Sequence, residues 1–120
     1  MNTNEKLQIV VKALDSKKAK DLKVIKIDDI TSICDYFVIA TGSSSTQVRA
    51  LSDEVDYQMG LLGVNPERME GSGKNSWILI DYSDVVVHVF DNEAREFYNL
   101  DKLWADGTEI SIEAILGDEK

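Results

Sequence analysis

Fourteen consecutive residues, Trp77-Ile-Leu-Ile-Asp-Tyr-Ser-Asp-Val-Val-Val-His-Val-Phe90, leave this chain few folds to choose from. Two runs dense in β-branched and aromatic side chains meet at Ser83-Asp84, the pattern of a β-hairpin. If Tyr82 pairs with Val85 across a two-residue loop, alternation sorts the segment into two faces. Ile78, Ile80, Tyr82, Val85, Val87 and Val89 share one face, which is almost wholly aliphatic and should be core. Trp77, Leu79, Asp81, Val86, His88 and Phe90 share the other, which mixes two large aromatics with a carboxylate and an imidazole. Either a helix covers that second face, or it is a surface on which aromatics anchor a partner and polar groups set the register. Ser-Asp is not the favoured Asn-Gly turn, and a three-residue loop would regroup both faces.

The rest of the chain supplies layers for that hairpin to pack against. Tyr36-Phe-Val-Ile-Ala40 is apolar throughout, as a strand buried on both faces is. Leu22–Ile27 alternates like a half-buried strand, with a turn at residues 28–32 between the two. Leu7, Val10, Val11 and Leu14 recur at helical spacing, with Thr3 or Asn4 placed to cap the start. A second helix carries the stripe Val48, Leu51, Val55, Met59 and Leu62; Gly63 is placed to end it, and Pro66 prevents a restart. Residues 65–75, with Gly71 and Gly73, read as a mobile loop. Asn92 is placed to cap a third helix with Ala94, Phe97 and Tyr98, and Leu100, Leu103 and Trp104 continue an apolar surface. Residues 109–116 read as a short strand or a helical turn, and 117–120 as a frayed end. The order α-β-β-α-β-β-α predicts an α/β (α+β) chain: one domain, a mixed sheet and flanking helices. A length of 120 residues fits one such core.

Charge narrows the partners. The net charge is −9, and it is uneven: residues 1–60 carry 8 Lys/Arg and 9 Asp/Glu, whereas residues 61–120 carry 5 and 13. An acidic half repels a phosphate backbone, which argues against direct, sequence-specific nucleic-acid binding, and it attracts a basic protein. Lys12, Lys17, Lys18 and Lys20 read as a solvated face near the end of the first helix. With one cysteine, Cys34, no internal disulfide can form, and with one histidine, His88, the four-ligand set of a structural zinc site is missing. The first residues show no signal or transit pattern, and no stretch approaches the ~20 apolar residues of a membrane span. The expectation is a soluble cytoplasmic protein with no membrane contact.

Three constellations were candidates for chemistry. Gly42–Thr46 joins a strand to a helix and could offer free amides to a phosphate, but it lacks a P-loop lysine and the spaced glycines of a dinucleotide site. The competing reading is a serine-rich helix cap. Asp53, Glu54 and Asp56, with Asp81 and Asp84, are candidate metal carboxylates, yet the last two lie three apart across a turn, where a shared direction is not assured. His88 lacks a recognisable nucleophile and orienting partner, so it reads as a structural or interface residue. The expectation is a non-enzyme that needs no cofactor and no metal.

Four motifs together resemble a known family. Asp35-Tyr-Phe-Val-Ile-Ala-Thr-Gly-Ser-Ser-Ser45, Met69-Glu-Gly71, Trp77-Ile-Leu-Ile-Asp-Tyr-x-Asp-Val-Val-Val-His-Val-Phe90 and Arg95-Glu-Phe-Tyr-Asn-Leu-x-x-Leu-Trp104 are similar, in order and spacing, to the ribosomal silencing factor, or Iojap, family. The resemblance runs from about residue 5 to 106, so residues 1–106 are read as that family's domain and 107–120 as a partly ordered tail. Ser83 departs from the glycine many members carry, which bears on the tip alone. The resemblance implies a nucleotidyltransferase-like fold without known transfer activity. It implies binding to the large ribosomal subunit through its fourteenth ribosomal protein, blocking of subunit joining, and repression of translation when nutrients are scarce. Organellar relatives act in large-subunit assembly, and a homodimer fits the resemblance. Trp77 matches the family's contact-region tryptophan, and Asp81, His88 and Phe90 match its neighbours. Leu79 and Phe90 are then further expected anchors, Asp84 and Glu70 further rim charges, and Tyr82 a further contact. The remaining alternatives are a nucleotidyltransferase-like enzyme and a large-subunit assembly factor.

Overall fold

Strands β2 (Tyr36–Gly42) and β5 (Val85–Asp91) lie parallel at the centre of the sheet, in register from Tyr36 opposite Val85 to Gly42 opposite Asp91. Both are buried nearly end to end, which explains their unbroken apolar runs. The computed structural model describes residues 2–71 and 76–117. Around the central pair, β4 (Trp77–Asp81) and β3 (Arg68–Gly71) extend the sheet one way, and β1 (Lys20–Lys26) and β6 (Thr108–Ile110) the other. The order is β3-β4-β5-β2-β1-β6, and the pairings other than β2–β5 are antiparallel. This is the single mixed sheet with flanking helices that the periodicities predicted.

Helices α1 (Thr3–Ser16), α2 (Ser45–Leu61) and α5 (Ile112–Gly117) cover one face. Their buried side chains, Leu7, Val10, Leu14, Val48, Leu51, Val55, Met59 and Ile115, meet Val24, Val38, Ile78, Ile80, Val85, Val87 and Val89 of the sheet. The shorter α3 (Asn92–Tyr98) and α4 (Leu100–Leu103) lie on the other face, where Ala94 and Leu100 pack with Ile25, Phe37, Ile39, Val86 and Phe90. Four residues of α4 and seven of α3 cannot roof six strands, so part of this face stays open.

Several local expectations need correction. Asn2, not Thr3 or Asn4, caps α1: its side chain accepts from Glu5 N at 2.8 Å, and Glu5 reaches back to Asn2 N at 3.2 Å. Asp91, not Asn92, caps α3, accepting from Ala94 N at 2.7 Å. Leu62 is exposed, because α2 has ended by then and Gly63 turns at φ +78°. Residues 68–71 form β3 rather than loop: an exposed edge strand without apolar alternation, held by its backbone pairing to β4. Of the rest of that expected loop, residues 65–67 lie in no helix or strand, and residues 72–75 lie outside the described residues. Beyond residue 106 the chain forms β6 and then α5, so the segment read as a strand or a helical turn is both, and Ile115 is core. Residues 118–120 lie outside the described residues.

Candidate partner-binding face

The hairpin has the two-residue loop that sorts its faces as read above. Tyr82 N donates to Val85 O at 2.9 Å, and Trp77 pairs with Phe90, Leu79 with His88, and Asp81 with Val86. Ser83 holds φ +77° at the tip, the conformation a glycine would take at no steric cost; Asp81 Oδ1 accepts from Ser83 N at 2.8 Å and steadies the turn. The aliphatic face is core. The mixed face is divided: α3 and α4 bury part of it and leave the rest open.

Phe90 is completely buried, so it is core and not a contact anchor. Tyr82 is buried on the opposite, aliphatic face, which excludes it as a surface contact; burial pushes its phenol upward in pKa. His88 is also buried, between Phe37, with ring centres 4.8 Å apart, and Phe90 at 6.1 Å. Trp77 and Leu79 stand half-buried on β4, where no helix lies over them fully. Trp77 Nε1 donates to His88 Nδ1 at 3.2 Å, and its ring lies 4.4 Å from that of Tyr98. Phe97 meets Tyr98 edge-on at 5.0 Å and is itself 79% exposed. At the other end, Phe37 meets Trp104 at 5.2 Å, beside Leu103, which is 70% exposed. Aromatic rings therefore run in contact from Phe97 through Tyr98, Trp77, His88 and Phe37 to Trp104, with both ends reaching the surface.

The charged residues do not all join this strip. On the edge, Arg68 bridges Glu70 at 3.2 Å and Asp81 at 3.5 Å, and strand register puts these three on the same face as Leu79. Asp84 points the other way: it accepts from Lys6 Nζ at 2.8 Å and from the Thr3 hydroxyl, both on α1. Partial burial works against its charge, but those hydrogen bonds outweigh it and hold its carboxyl below the usual carboxylate range. Asp84 is thus a brace between hairpin tip and α1, not a rim charge. Reading the sequence missed the weight of Phe97 and Leu103 at this face. The available signal was a pair of adjacent aromatics, Phe97-Tyr98, on a helix too short to bury both.

The candidates for chemistry resolve differently. At the Gly42–Thr46 turn, Ser44 Oγ accepts from Gln47 N at 3.1 Å and Gln47 Oε1 accepts from Ser43 N at 2.6 Å. Two amides of this turn, those of Ser43 and Gln47, are thus held by the turn's own side chains, as in the helix-cap reading. A Cβ on Gly42 would stand 2.8 Å from Val48 N, so the glycine serves close strand–helix approach. Asp53 pairs with Arg49 at 3.1 Å and Glu54 accepts from Gln58 at 2.8 Å, while Asp81 and Asp84 diverge across the hairpin. Among the described residues no group of three or more His, Cys, Asp or Glu could hold a metal ion. Cys34 is buried, and that burial, with Asp81 and Asp35 near, pushes its thiol up to about 11, away from nucleophilic use. An open cleft of about 580 Å³ lies at the carboxyl ends of β2 and β5; Asp21, Glu96, Asp101 and Glu109 in its wall outnumber Lys23 and Arg95, both of which pair with Asp101, so the balance of charge disfavours a phosphate there. Among the described residues, no helix is long and apolar enough to cross a membrane.

Comparison with known proteins bears on the family and the fold. The family model described as "Ribosomal silencing factor during starvation" matches residues 1–120. A protein named ribosomal silencing factor from Halalkalibacterium halodurans is 39% identical over 116 residues, covering 97% of this chain and 99% of the relative. A more distant mouse protein, named for mitochondrial assembly of the ribosomal large subunit, is 29% identical over 101 residues, covering 82% of this chain and 44% of its own length. A crystal structure of a protein from Chromobacterium violaceum superposes with a TM-score of 0.84 at 33% identity, covering 92% of each chain. With a match along its whole length and a relative this similar end to end, the chain belongs to the ribosomal silencing factor, or Iojap, family.

Proposed function

We propose that this protein represses translation by docking, through the open part of its aromatic face, onto a basic protein of the large ribosomal subunit. The family resemblance implies the fourteenth ribosomal protein as that partner, on the surface that faces the small subunit. A domain of this size held there blocks subunit joining by occupying space, which needs no catalysis, metal or cofactor. One observation carries the reading: Trp77 and Leu79 stand half-exposed beside Tyr98 and Phe97, with the carboxylates of Glu70 and Asp81 along one edge. Such a patch combines anchor rings that lose little entropy on docking with rim charges that suit lysine and arginine. The acidic second half of the chain adds a long-range field of the right sign for a basic partner on a cytoplasmic ribosome.

Subunit joining measured with purified subunits tests this. Trp77→Ala is expected to weaken inhibition by tenfold or more, because a central aromatic anchor contributes about 2 kcal/mol or more. Undiminished inhibition by that variant would remove Trp77 as the anchor. The name of the mouse relative favours a second role, in large-subunit maturation, through the same contact. Depletion separates the two: precursor particles accumulate if the role is assembly, and subunits stay joined during starvation if it is silencing. A homodimer formed through the same rings would compete with docking, so inhibition per chain would fall as protein concentration rises.

A further inference from the structure

His88 is buried, yet only one of its two ring nitrogens has a partner. Trp77 Nε1–H donates to Nδ1 at 3.2 Å, whereas Nε2 finds none among the described residues. A nitrogen that accepts carries no proton, so the neutral ring has its proton on Nε2. Burial keeps the ring neutral, with a pKa pushed down to about 4. The imidazole is also enclosed on several sides. Its strand is paired on both sides, with Ile39 and Leu79 opposite His88. Phe37 meets it edge-on with planes at 85°, and Phe90 lies almost parallel to it at 7°.

An apolar side chain would fill this place without leaving a buried N–H unpaired, which is a cost in stability. What only an acceptor provides is a grip on the neighbouring indole. Trp77 is the half-exposed ring at the centre of the strip. Without His88 its N–H is satisfied only by turning outward to water, and the ring edge shown to a partner changes. We propose that His88 is a positioning residue for partner docking: by accepting the Trp77 indole N–H it holds that ring in its docking orientation before the partner arrives. The inference rests on the docking reading above. It places His88 behind the contact face, acting through Trp77, with the ordering cost of the anchor met on folding rather than on binding.

Large-subunit co-sedimentation, thermal melting and the indole N–H NMR signal of Trp77 test this together. The variants are His88→Leu, which removes the acceptor, His88→Asn, whose amide oxygen reaches the place of Nδ1, Trp77→Ala, and His88→Leu with Trp77→Ala. His88→Leu is expected to melt no lower than the parent, to shift the indole signal toward its value in water, and to bind about three- to tenfold more weakly, the worth of one hydrogen bond. His88→Asn restores binding and signal, and His88→Leu adds no loss once Trp77 is alanine. If His88→Leu does not fold, His88→Gln replaces it, since its amide reaches the place of Nε2 and not of Nδ1. Full binding by the acceptor-free variant, with loss in Trp77→Ala, overturns the positioning role and leaves the docking reading intact. Full binding by Trp77→Ala overturns the docking reading and this inference with it. A further loss from His88→Leu on the Trp77→Ala background overturns action through Trp77.

Discussion

Arg95 grips Asp101 in two parallel hydrogen bonds, Nε to Oδ1 at 2.8 Å and Nη2 to Oδ2 at 2.9 Å, and its third bond, from Nη1, reaches Thr41 Oγ1 at 2.9 Å. One side chain thereby joins α3, α4 and the end of β2 across a chain reversal at Asn99, where φ is +46°. The Arg95 hydrogen bonds hold the Asp101 carboxyl below the usual carboxylate range. Arg95→Lys keeps the charge but cannot form the fork. It is expected to lower stability by about 2 kcal/mol in equilibrium urea unfolding, the range for a charge-assisted bond lost in a mostly buried place. A change below about 0.5 kcal/mol, the ordinary effect of a surface substitution, would mean that the fork is not what holds α4 down.

Two phenylalanines of the aromatic face should behave oppositely. Phe97→Ala removes a ring that is 79% exposed, so its effect on unfolding should stay within about 0.5 kcal/mol while large-subunit binding weakens. Phe90→Ala empties a fully buried site and should cost about 3–5 kcal/mol of stability. Melting and co-sedimentation on the same preparations check both; equal melting temperatures would contradict the packing described for Phe90.

His88 makes stability pH-dependent in a definite window. Its ordinary value near 6.5 falls to about 4 on folding, because burial disfavours the imidazolium. The unfolded chain therefore takes up the proton first, so stability falls as pH drops from about 6.5 to about 4 and levels off for this group below that. The full loss is roughly 3 kcal/mol. Asp84 and Asp101, whose values are lowered, lose their contributions only below the ordinary carboxylate range near 3.8, so the two phases separate. Urea titrations between pH 7 and 4, on the parent and on His88→Leu, should show the upper phase in the parent alone.

Gly107→Ala should detach the edge of the sheet. A Cβ there would stand 2.5 Å from Ile25 Cγ2 and 2.9 Å from Lys26 O, and the backbone oxygen cannot yield. The expected cost is about 1–3 kcal/mol. Hydrogen exchange at the amides shared by β1 and β6 should quicken before exchange in β2 or β5 does. Uniform protection across the sheet would contradict that placement.

The legible parts of the fold were those in which periodicity and burial agree. Leu7, Val10, Val11 and Leu14 predicted α1, and the unbroken run Tyr36–Ala40 predicted a central strand. The hairpin register was left open by the sequence, because Ser83-Asp84 lacks the usual turn chemistry; the structure takes the two-residue loop, which puts one wholly aliphatic face into the core. Strand β3 was not legible, since Arg-Met-Glu-Gly carries no burial pattern and pairs only through its backbone. Burial of the mixed hairpin face was undecidable locally: whether Phe90 or Trp77 is covered depends on where α3 lands, which the strand does not encode. Asp84 was misassigned for the same reason, since its partner Lys6 lies 78 residues away in sequence.

The parallel pairing of β2 with β5 has a kinetic side. Tyr36 meets Val85, 49 positions later, so the centre of the sheet cannot close until the intervening chain exists. At synthesis rates of about 5–20 residues per second, β2 waits roughly 2–10 s for its neighbour. During that wait β2 can pair with β1 along one edge, while its other edge stays without a neighbour. Once Val85–Asp91 emerges, its parallel pairing closes that edge, so the exposure is confined to synthesis of the very domain proposed to quiet the ribosome.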